Sequence, residues 1–156
     1  MKAITVRQPW AWLLFHGKPV ENRDWYTAYR GLLAIHAAQG MTRDEYEDAR
    51  DFVRTFDPAL ACRIPDPESL ERGAVLGTVN QIGCVKQYES PWFQGRFGHL
   101  YESPKLLAVP ELARGALGLW EWRVPDGGLR YADAPLAPVH ERTGSLVSCT
   151  IPERVK

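Results

Sequence analysis

The stretch Lys18-Pro-Val-Glu21-Asn-Arg23-Asp-Trp25 limits what this chain can fold into more than any other. Three ionisable groups fall within six residues, with Gly17 before them and tryptophans on either side. If Pro19 to Trp25 is extended, Glu21, Arg23 and Trp25 share one face, while Val20, Asn22 and Asp24 share the other. One face of such a strand carries charge and an indole. Burying charge without a partner is costly, so that face needs a pocket, a partner or solvent.

The surrounding pattern supplies the frame. Ala3 to Val6 reads as a short strand, and Pro9 suits the first turn of a helix, where its missing N–H costs nothing. Trp10, Leu13 and Leu14 follow i, i+3, i+4 spacing, and Gly17 closes the segment with an expected positive φ. Lys18 is thereby set on the turn leaving the helix. Gly31 to Ala37 is a second apolar strand, with Leu33 and Ile35 on one face and Leu32 and His36 on the other. Thr42-Arg-Asp-Glu45 fits a capping box that starts a second helix.

Asp57 to Arg72 carries three prolines and no periodicity, which reads as a loop. Gly73 to Val85 reads as a long strand bent at Gly77 or Gly83. A loop at Ser90-Pro91-Trp92-Phe93 exposes aromatics, and a third strand group, Phe97 to Val109, is interrupted at Ser103-Pro104. Gly115 to Trp122 gives a turn and a final strand. Residues 125–156 have weak periodicity and are expected to form a partly ordered extension. The pattern predicts an α+β chain: a small β-barrel with helices packed outside it.

Composition narrows the function classes. With a formal net charge of +0, nucleic-acid binding has to come from a local patch and not from a polycationic surface. No apolar run approaches the ~20 residues of a membrane span. Cys62, Cys84 and Cys149 are odd in number and widely spaced, which argues against a disulfide framework and a metal site. The expectation is a cytoplasmic protein with reduced thiols, no metal and no cofactor. Oligomeric state is not readable.

Several ordered pieces resemble the ASCH family, the activating-signal-cointegrator homology domains of the PUA-like superfamily. They are Arg7-Gln8-Pro9-Trp10-Ala11-Trp12, then Gly17-Lys18-x-x-Glu21-x-Arg23, then Tyr29-Arg30-Gly31 leading to Ile35-His36-Ala37. Gly77-Thr78-Val79, Ser90-Pro91-Trp92-Phe93 and Gly118-Leu-Trp120 follow in order. The family motif is usually written with a residue between the glycine and the lysine, whereas Gly17 and Lys18 are adjacent here. The Lys-x-x-Glu-x-Arg portion is intact. The resemblance covers residues 1–124 as an ASCH/PUA-like domain and leaves 125–156 as a C-terminal extension.

The resemblance implies a cleft suited to RNA or a nucleotide, faced by Lys18, Glu21 and Arg23. The residues support this by their own chemistry. Arg7, Lys18, Arg23 and Arg30 outnumber Glu21 and Asp24, and phosphate contacts need cations. Trp10, Trp12, Trp25 and Trp92 offer stacking faces, and Glu21 suits an exocyclic amine of a base. The plainer readings are that Trp10 is core, that Glu21 and Arg23 pair to fix register, that Lys18 complements a helix dipole, and that His36 is structural.

Two catalytic alternatives come with the resemblance. Some compact ASCH proteins resemble amidohydrolases of N4-acetylcytidine, which use a lysine with a hydroxyl nucleophile three positions later. Here that position is Glu21, which weakens the reading, since an acyl intermediate on a carboxylate would be an anhydride. Neither Thr27 nor Thr78 is placed beside Lys18 by pattern. A ribonuclease would use Glu21 as base with Lys18 and Arg23 as stabilisers. A further alternative is a protein-interaction module that docks a partner through Trp92 and Phe93.

Overall fold

The computed structural model describes residues 1–133. In chain order its elements are β1 (Lys2–Val6), α1 (Trp10–Leu14), β2 (Val20–Arg23), β3 (Gly31–Ala37), α2 (Arg43–Arg54), α3 (Pro58–Arg63), β4 (Ala74–Val85), β5 (Phe97–Leu112) and β6 (Leu119–Glu121). The six strands form one sheet in the order β2-β5-β4-β3-β1-β6. Only β1 and β3 run parallel among the paired neighbours, so a crossover must join them, and α1 and β2 lie within it.

The sheet is curled into a half-barrel, and one hydrogen bond demonstrates it. Arg23, on β2, donates from Nη2 to the Thr5 carbonyl on β1 at 2.7 Å. Three strands separate β2 from β1 in the sheet order, which in a flat sheet amounts to roughly 19 Å. No arginine spans that distance. The edge strand β2 must therefore have swung round to face β1 across the barrel mouth. This is the expected α+β small barrel with helices outside.

The apolar core lies on both faces of β3, whose residues from Leu33 to Ala37 are all buried. On one side Ile4, Val6, Leu33 and Ile35 pack with Phe15 from the end of α1. On the other, Ala34 packs with Ala3, Val75, Leu107 and Trp122, and a separate cluster joins Leu13 and Val20 to Tyr46, Val53 and Leu60 of the helices and to Trp92. The capping box of α2 is complete: Thr42 Oγ1 accepts from Glu45 N at 3.1 Å, and Glu45 Oε2 accepts from Thr42 N at 2.7 Å.

Four local expectations are corrected. Asp57 to Arg72 is not a loop. Asp57 caps α3 by accepting from Leu60 N at 2.9 Å, Pro58 takes the first position, and a 3-10 turn follows at Pro67–Ser69. Prolines that break periodicity in sequence here begin elements. Ser103-Pro104 does not interrupt its strand either: Thr78 pairs with Lys105 and Asn80 with Glu102, so β5 spends one extra residue and absorbs Ser103 (φ 51°) as a bulge. Pro9 stands just before α1, one position earlier than expected. Cys84 is free, but Cys62 is disulfide-bonded, contrary to the expectation of reduced thiols.

Residues 129–133 add to the sheet surface through a bridge between Tyr131 and Leu107. The rest of the expected C-terminal extension, 134–156, lies outside the described residues. Among the described residues no helix is long and apolar enough to cross a membrane.

Candidate functional site

Lys18 is placed by the end of α1. Gly17 adopts φ 113°, and Lys18 N donates back to the Leu13 carbonyl at 3.0 Å, a closure that needs a residue without a Cβ penalty in the left-handed region. The lysine side chain then turns inward. Its Nζ lies 2.5 Å from Glu21 Oε2, and Arg23 Nη2 lies 3.3 Å from Glu21 Oε1. One carboxylate is thus shared by two cations. Lys18 is 3% exposed and Glu21 8%. Burial lowers the pKa of the Lys18 ammonium, and the neighbouring carboxylate opposes that shift. The ring of Trp10 adds a cation–π contact, with Nζ 5.5 Å from its centroid.

These groups lie at a cleft of about 680 Å³ whose walls include Trp10 and Phe52, Arg7 and Glu45, and Asn22 and Gln94. Arg7 Nη2 sits 2.6 Å from Glu45 Oε2. Arg23 has a second face. With Thr5 and Arg7 it also lines an adjoining cleft of about 1230 Å³, together with Trp25, His36 and Arg114.

The barrel wall beside Glu21 carries histidine chemistry of a quiet kind. His99 is the cross-strand partner of Glu21 and donates Nε2–H to the Trp25 carbonyl at 3.1 Å. His36 donates Nε2–H to the Ala113 carbonyl at 2.8 Å. A carbonyl only accepts, so each ring is held as the Nε2–H tautomer, and each Nδ1 is a buried acceptor with no partner among the described residues. Burial lowers the pKa of His16, His36 and His99 below the ordinary 6.5. Below about pH 6.5 the unfolded chain therefore takes up protons that the folded chain refuses. Their stabilisation is complete above that value and is lost progressively as pH falls. The urea midpoint is expected to drop between pH 7.5 and 5.5, and His36→Asn should shallow that drop. A midpoint independent of pH over this range would contradict the burial argument.

Known proteins bear on the family. No family model matches the chain. Among curated proteins, activating signal cointegrator 1 of Mus musculus is 36% identical over 95 residues, and that of Homo sapiens is 34% identical over 85. The alignments cover 60% and 54% of this chain. That likeness supports an ASCH-type assignment. The chain spans only 16% and 14% of the length of those relatives, so the likeness concerns the domain and not the whole of either protein.

Within this ASCH-like domain the residues singled out from sequence divide into three groups. Arg7, Trp10, Lys18, Glu21 and Arg23 come together at the smaller cleft, and Trp25 lines the larger one beside Arg23. Trp25 lies past the end of β2, and Asp24 lines the same cleft, so the strand alternation stops at Arg23. Trp12, Arg30 and Trp92 line neither cleft. Trp12 stacks on His16 with centroids 3.6 Å apart, and Arg30 donates to the Thr27 and Tyr29 carbonyls. Trp92 is 7% exposed and packs edge-on against Phe52 and Phe56, which removes its ring from any docking surface.

Sequence reasoning missed Thr5, Phe52, Gln94 and Arg114. Thr5 lines both clefts and its Oγ1 accepts from Trp120 Nε1 at 3.1 Å, whereas Thr27 and Thr78 line neither. Only strand parity in β1 could have hinted at Thr5. Nothing in the sequence brings residues 52, 94 and 114 near residue 21.

Proposed function

We propose that this ASCH-like domain binds RNA or a nucleotide, with an unpaired base entering the smaller cleft. The observation that carries the reading is the sharing of the Glu21 carboxylate between Lys18 and Arg23 at a cleft walled by Trp10 and Phe52. A carboxylate has about four lone-pair positions, and the two cations use two, so acceptors remain for an exocyclic amine. Trp10 and Phe52 meet edge-to-face with centroids 5.9 Å apart and form one aromatic wall, which suits the π-face of a single base, worth about 1–3 kcal/mol. Pinning by two cations removes the rotamer freedom that a lone glutamate would lose on binding.

The test is base preference. Glu21→Gln keeps the shape and replaces one acceptor by a donor. It is expected to weaken binding of oligocytidylate by about 1–3 kcal/mol while affecting oligouridylate less. Equal affinities of wild type and Glu21→Gln for both oligonucleotides would sink the proposal.

A catalytic version rests on the lowered pKa of Lys18, because a lysine nearer neutrality is a better nucleophile or base. Incubation with RNA and with N4-acetylcytidine distinguishes it. A product formed by the wild type, and not by Lys18→Met, would make the domain an enzyme.

A further inference from the structure

The two clefts differ in charge, and the difference bears on where a phosphate goes. Around the smaller cleft Arg7, Lys18 and Arg23 meet Glu21, Glu45 and Asp48, which balances formally. Its lysine is buried against Glu21, while Arg7 and Arg23 use only one Nη2 each on Glu45 and Glu21 and keep other guanidinium donors. A phosphate there would face three carboxylates. The larger cleft shares Arg7 and Arg23, adds Arg114, and has Asp24 as its one acidic lining residue. Arg114 is exposed and forms no ion pair among the described residues.

Two residues lining this cleft each bury a polar atom without a partner. Arg23 Nε is buried without a partner and is a donor only. His36 Nδ1, on a side chain that lines the larger cleft and is 2% exposed, is an unpartnered acceptor. The site therefore offers guanidinium donors for phosphate oxygens, while Gly115 packs over His36 Nδ1.

We propose that the larger cleft is the backbone track of a single-stranded oligonucleotide, whose phosphates lie along Arg23, Arg7 and Arg114 while one base occupies the smaller cleft. This rests on the base-binding reading above. It assigns Lys18 no phosphate contact: Lys18 holds Glu21. A duplex does not satisfy the arrangement, since its bases are paired and stacked away from a pocket.

The experiment is a salt titration of binding to a labelled octacytidylate and to its deoxy counterpart. Each phosphate neutralised on a single strand contributes about 0.7 to the slope of log affinity against log salt. Arg114→Ala is expected to lower octamer affinity roughly fivefold at low salt and to flatten the slope by about 0.7, and Arg114→Glu more so. Glu21→Gln is expected to lower affinity while keeping the wild-type slope. Retained affinity and slope in both Arg114 variants, with loss in Glu21→Gln, would overturn the track and leave the base site standing. No effect of Glu21→Gln would overturn both. Weaker binding of the deoxy octamer would mark the 2′-hydroxyl as a contact. Equal binding would confine recognition to phosphate and base.

Discussion

Lys18→Ala is expected to destabilise the domain by about 3–5 kcal/mol, a large share of the roughly 5–15 kcal/mol available to a domain of this size. The lysine is 3% exposed and its partner Glu21 8%, so truncation strands a buried carboxylate. Arg23 at 3.3 Å compensates only in part, because its Nη2 also serves the Thr5 carbonyl. Urea unfolding followed by tryptophan fluorescence reads the loss. The informative comparison is the double variant Lys18→Met/Glu21→Leu. Replacing a buried ion pair with apolar groups of similar volume is often neutral or stabilising, so this variant should lie within about 2 kcal/mol of wild type. It should also fail to bind oligocytidylate. A stable, non-binding double variant separates what the pair does for the fold from what it does for the ligand. A single-variant loss below about 1 kcal/mol would show that the pair is solvated in solution.

Phe15→Ala is the second large effect, expected to cost about 3–5 kcal/mol. Its ring is 1% exposed and lies over Gly77, where an added Cβ would come 2.7 Å from Phe15 Cε1. The hole left behind cannot be refilled from that side, since Gly77 has no side chain to swing in. Adding one there does not help, because the Lys105 carbonyl and Leu106 Cα already crowd the position. Phe15→Ala/Gly77→Ala should therefore be no more stable than Phe15→Ala alone. Recovery in the double variant would mean that β5 can shift, against the packing seen here. Because Phe15 ends α1 just ahead of Gly17 and Lys18, ligand affinity should fall with stability.

Much of the site was legible because its parts are local. The Gly17 turn, the position of Lys18 after α1, and the pairing of Glu21 with Arg23 depend on φ preferences and on strand parity over six residues. The plainer readings of Glu21, Arg23 and His36 also held in part: the charges do pair, and His36 does satisfy a backbone carbonyl. Where the reading failed, the cause was long-range. Trp92 looks like an exposed loop aromatic until α2 supplies Phe52 and Phe56 to cover it. Ser103-Pro104 looks like a break until β4 offers a partner that tolerates a bulge.

The sequence by itself determined the chemistry of the site, because lysine, glutamate and arginine at this spacing on a turn and strand must either pair or find a ligand. It also determined the helix cap at Thr42 and the α+β class, both set by neighbours in the chain. Only the tertiary structure decided that the two cations share one carboxylate at a cleft. That required the curl of the sheet, which carries β2 from the edge round to β1 and lets Arg23 reach Thr5. The same curl divides the surroundings of Arg23 into a charge-balanced cleft and a basic one. Residues 7, 23 and 114 meet there because strands far apart in order close on each other, and no local rule encodes that closure.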